Sequence, residues 1–111
     1  MTSELEAVPI ETVGPPLWEV GWARAVERDA LWRYLGDPPY IETDSHCTFG
    51  GDEDWWTFRT RGGDDVFAVC LRVPYGDAVV CTSDPTEYNV CRAVELITPF
   101  NVEIFETPRL R

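Results

Sequence analysis

Lysine is missing from this chain: all nine basic side chains are arginines, and His46 is the only histidine. Few of the usual proton-transfer groups remain, so an enzyme would have to rely mainly on carboxylates. No apolar run approaches the roughly 20 residues that cross a bilayer. The opening Met1-Thr2-Ser3-Glu4-Leu5-Glu6 has neither the basic start nor the apolar middle of a secretory signal. The expected location is cytoplasmic, and a membrane is a poor partner because no basic cluster faces anionic lipid. GxSxG, GxGxxG, P-loop and HExxH strings are also absent. Cys47, Cys70, Cys81 and Cys91 form no CxxC pair and no dense ladder, so they are expected to be buried free thiols, with no metal or cofactor implied.

What is present is acid. Twenty Asp and Glu residues bring the formal charge to -11. Such a surface steers cationic partners inward and repels phosphate backbones, which disfavours nucleic acid as a ligand. The converse, carboxylates imitating phosphates in a basic groove, is compatible with the same charge. At 111 residues, with 44% hydrophobic content, five Trp, five Phe and four Tyr, the chain is expected to build one core.

Residues 1–16, with Pro9, Gly14, Pro15 and Pro16, show little periodicity and are expected to form an extended or loosely held arm, leaving 17–111 as a single domain. Leu31, Tyr34 and Leu35 share a helical face, and Gly36-Asp37-Pro38-Pro39 stops it, which predicts a helix over 27–35. The favoured reading is this helix at 27–35 with room for an N-terminal extension, as early as Trp22 with Val26 in the same stripe; the alternative is an extended Trp18–Val26 broken at Gly21. Tyr40 to Asp44 reads as a short strand, and Ser45 to Asp54, with Gly50-Gly51, as an acidic loop.

Residues 55–60, 66–73 and 78–82 read as a three-stranded antiparallel meander. Closing its first hairpin at Gly62-Gly63 sets Trp56 opposite Val69 and Phe58 opposite Phe67. Closing the second at Tyr75-Gly76 sets Leu71 opposite Val80 and Cys70 opposite Cys81. One face then carries Trp56, Phe58, Phe67, Val69, Leu71, Val73, Ala78 and Val80, fit for a core. The other is mixed, with Trp55, Thr57, Arg59, Val66, Ala68, Cys70, Arg72, Val79 and Cys81. Asp84, Pro85 and Glu87 open a second helix running to about Val94 or Leu96, and 101–106 alternates as a final strand. The predicted fold is α+β, an antiparallel meander of three or more strands with one helix before and one after it.

The densest group of chemical side chains is Asp44, His46, Asp52, Glu53 and Asp54. Its spacing fails the EF-hand pattern, although a weak nonstandard cation site uses similar oxygens. A catalytic carboxylate pair needs one desolvated member, which a glycine-flanked loop does not supply. Cys47 beside His46 lacks the geometry of an activated nucleophile, because neighbouring side chains diverge. Cys70 and Cys81, opposed across a hairpin, read as two packed thiols in a reducing cytosol. A solvated acidic loop is the plainest reading. Its functional version offers Asp44, Asp52, Glu53 and Asp54 to a basic partner, with Trp55 as anchor. Arg59 and Arg72 on the mixed face supply further contacts, Trp and Arg being enriched where interfaces carry energy. Ordinary cross-strand packing explains the same face without a partner.

The run Leu35-Gly36-Asp37-Pro38 to Glu42-Thr43-Asp44, then Gly50-Gly51-Asp52-Glu53-Asp54-Trp55-Trp56-Thr57-Phe58 and the hairpin to Val80, resembles small acidic bacterial immunity proteins encoded beside polymorphic or secreted toxins. The resemblance covers about residues 22–85 and implies a non-catalytic protein that binds a cognate toxin in the cytosol and blocks its active site or an essential surface; the acidic charge adds that the partner is expected to be basic. The rivals are an adaptor subunit or homodimer using the mixed sheet face, and an enzyme using the carboxylates with His46.

Overall fold

The computed structural model describes residues 5–14, 16–43 and 51–111. Seven strands form one antiparallel sheet: β1 (Leu5–Ala7), β2 (Trp18–Arg24), β3 (Tyr40–Glu42), β4 (Glu53–Thr60), β5 (Val66–Arg72), β6 (Asp77–Thr82) and β7 (Val102–Leu110). Their spatial order is β1-β4-β5-β6-β2-β7, and β3 pairs with β4 beyond the end of β1. Helices α1 (Arg28–Leu35) and α2 (Glu87–Glu95) complete the α+β fold. The meander is its centre, flanked by strands that precede α1 and follow α2.

The apolar face is the expected one. Trp56, Phe67, Val69, Leu71, Ala78 and Val80 form the main core with Leu31 of α1, Ala93 of α2 and Ile97 just beyond it. The first hairpin has the expected register, with Trp56 opposite Val69 and Phe58 opposite Phe67. The second differs by two residues: Leu71 faces Ala78, Cys70 faces Val79, and Cys81 faces Ala68. Pro74 has no N–H to donate to a ladder, so the turn takes in Val73 to Gly76, and Arg72 and Asp77 close it. A slip of two preserves side-chain parity, which is why the faces survive it.

Three boundaries also differ. Trp18–Arg24 is a strand, so α1 has no N-terminal extension. Gly21 marks a register shift against both neighbours, and Ala25, at φ 55°, turns the chain into the helix. The cap of α2 is Thr86, whose hydroxyl accepts from the Asn89 N–H, and not Asp84, whose carbonyl accepts from the Asn89 side chain. The acidic loop ends at Asp52: Glu53 and Asp54 are buried strand residues, paired with Arg72 and Leu71 on one side and Glu42 and Ile41 on the other.

Residues of the expected arm lie against the sheet. Leu5–Ala7 pairs with β4, and Val8 exchanges hydrogen bonds with Thr57. Ile10 and Leu17 then pack over Trp55, Ala68, Cys70, Val79 and Cys81. The segment thus carries the chain across the mixed face from β1 towards β2 and covers much of it.

Candidate binding surfaces

Asp44, His46 and Cys47 lie outside the described residues. The other acidic candidates face two sides of the sheet, because neighbouring strand residues alternate. Asp54 is fully buried on the helix side. Its two carboxylate oxygens accept from Arg28 Nε and Nη2 at 2.8 and 2.7 Å, and Oδ2 also accepts from the Trp32 indole at 2.7 Å. Asp52 adds a longer ion pair to the same guanidinium at 3.5 Å. Arg28 and Trp32 are one helical turn apart, so this cluster clamps the start of α1 to β4.

Glu53 points to the mixed face. Burial pushes its carboxyl above the ordinary range, Arg111 opposes that, and the hydrogen bond and charge of Glu42, its cross-strand partner, push it further up. Arg111 ties this corner together, 2.7 Å from Glu19, 3.7 Å from Glu53 and with its guanidinium 4.6 Å from the Trp55 ring centroid. Trp55 is consequently 7% exposed.

The arginines proposed as contacts have intramolecular partners as well. Arg72 makes a bidentate pair with Asp77 at 2.8 and 2.6 Å, and Arg59 donates to the Thr12 carbonyl at 3.1 Å. Every described member of the predicted contact set therefore has a partner within the chain; Trp55 hydrogen-bonds the Glu53 carboxylate, and its ring lies under Arg111. Cys70 and Cys81 are free, buried thiols; burial raises both, Cys81 to about 12, so neither is poised as a nucleophile. Sequence reasoning missed the C-terminal share of this face. Arg24 stacks on Trp22 at 4.5 Å, Trp22 packs against Phe105 at 6.3 Å, and Arg109 covers Phe105 at 4.2 Å. The alternation of 101–106 was a usable signal for Phe105, whereas nothing local placed Arg109 and Arg111 beside β2.

The helix side holds a feature that no motif announced. A cleft of about 760 Å³ opens between the C-terminal ends of α1 and α2, over the edge formed by β1 and β4. Leu5, Ala7 and Phe58 come from the strands, Tyr34 and Leu35 from α1, and Leu96 and Pro99 from the end of α2. Two charged residues line it. Arg92 is 8% exposed, and its Nη2 donates to the Tyr88 hydroxyl, with the guanidinium 4.7 Å from that ring's centroid. Glu95, one turn away, is exposed.

Among the described residues no cluster of three or more His, Cys, Asp or Glu side chains could hold a metal, and no helix is long and apolar enough to cross a membrane. No family model matches the chain, and comparisons with curated proteins and with solved structures give no match.

Proposed function

We propose that the chain is a non-catalytic binding protein of the immunity type, which captures and neutralises a cationic protein partner. The carrying observation is the negative charge left after internal pairing. Arg28, Arg72 and Arg111 are matched with Asp52, Asp54, Asp77, Glu19 and Glu53. Exposed carboxylates remain elsewhere: Glu6, Glu11, Glu27, Asp29, Asp37, Asp64, Asp84, Glu87, Glu95, Glu103 and Glu106. They are spread over the molecule, so they favour a cationic partner through the overall field instead of through one loop, accelerating encounter in a salt-dependent way. The adaptor reading draws less support, because its proposed residues on the mixed face already have partners within the chain.

The test pairs the purified protein with the basic products of adjacent genes. The expected result is a complex whose association rate falls steeply with ionic strength and whose formation suppresses the partner's activity. Absence of a complex with any of them, together with unchanged growth when the gene is deleted beside an active toxin, refutes the reading.

A further inference from the structure

We propose that the cleft between α1 and α2 is the seat for an aromatic or aliphatic side chain presented by a cationic segment of the protein partner. This rests on the binding function just proposed and gives it a place and a chemistry. The cleft's volume of about 760 Å³ falls within the range of ligand-binding concavities, and its walls are mainly apolar. A side chain entering between Leu35 and Leu96 and reaching Phe58 leaves water for apolar contact, a gain that grows with the apolar surface buried.

The charge at the entrance decides which neighbours that side chain has. Of the two charged residues lining the cleft, Arg92 is buried and bonded to Tyr88, whereas Glu95 is exposed. An approaching segment therefore meets a carboxylate, and a Lys or Arg beside the apolar anchor complements it. Tyr34, 46% exposed and packed edge-on against Phe100 at 6.1 Å, stands at the same opening. It offers a large contact surface with few rotamers to freeze, as interface anchors do. On the opposite side of the sheet Ile10 and Leu17 pack over the apolar residues and Arg111 lies over Trp55.

The experiment titrates the isotopically labelled full chain with three peptides and follows its NMR signals: acetyl-Lys-Trp-Lys-amide, the version with Ala for Trp, and the version with Glu for both Lys. The first should give saturable shifts at Leu5, Phe58 and Leu96. The other two should bind at least about fivefold more weakly, a loss of about 1 kcal/mol each. Ala7→Phe, at an exposed strand position lining the cleft, should leave signals elsewhere unchanged and abolish those shifts. Shifts confined to other carboxylates and indifferent to Ala7→Phe would overturn the cleft assignment while leaving a cationic partner in place. Equal binding of the Lys and Glu peptides within the cleft would overturn the cationic-segment assignment itself. A cognate partner that binds the Ala7→Phe variant at full strength would likewise remove the cleft and spare the function.

Discussion

Asp54 shows how much one side chain can organise. Its carboxylate holds three donors from α1 while fully buried, so the helix position depends on a charge that water no longer supports. Asp54→Ala should cost about 3 kcal/mol, measured as a lowered urea midpoint, with Arg28 partly rehydrated because it is only half-buried. Arg28→Met should cost more, since it strands the buried anion. Glu53 behaves in the opposite sense. Its folded carboxyl is raised by burial and by Glu42, so the native state holds the proton more tightly than the unfolded chain. That contribution is fully present below the ordinary carboxyl range and is lost as pH rises through the folded value. Glu53→Gln should therefore raise the midpoint at about pH 7.5, with the gain over the parent protein vanishing at about pH 4. An equal effect at both pH values would contradict this account.

At the scale of elements, β2 is the critical strand, because it alone joins β7 to the meander. Gly21 allows that close approach: a Cβ there would sit 3.0 Å from the Glu103 carbonyl oxygen and 3.2 Å from a Val102 methyl group. Gly21→Ala should destabilise by about 1–3 kcal/mol, with hydrogen exchange accelerated first in β7, the edge strand. Uniform loss of protection across the sheet would show instead that β7 has no separate stability. The bulge also explains how Pro108 fits within β7, since the register around it jumps from Ile104 opposite Gly21 to Arg109 opposite Glu19.

For the whole molecule the governing quantity is the charge of -11. Among the described residues the ion pairs engage Arg28, Arg72 and Arg111 with carboxylates that are buried or half-buried, whereas the exposed carboxylates stand outside them, so compaction works against mutual repulsion. Adding sodium chloride from about 10 to 300 mM should raise the unfolding midpoint, because screening relieves that repulsion more than it weakens the few buried pairs. A midpoint that falls with salt would mean that the internal pairs outweigh the repulsion. The same screening should slow capture of a cationic partner, which separates the two consequences of one charge distribution.

Local patterning determined the helix over 28–35, the two faces of the meander, the first hairpin and the apolar character of the core, because each depends on residues close together in the chain. The acidic excess is likewise compositional. Only tertiary structure decided that Glu53 and Asp54 are strand residues on opposite faces, that Ile10 and Leu17 cover the mixed face, and that Arg111 meets Glu19 and Trp55. It also formed the cleft, whose walls come from β1, β4, α1 and α2. Those outcomes pair groups tens of residues apart, and burying a carboxylate is favourable only when its distant arginine arrives; no window of sequence contains both halves of that condition.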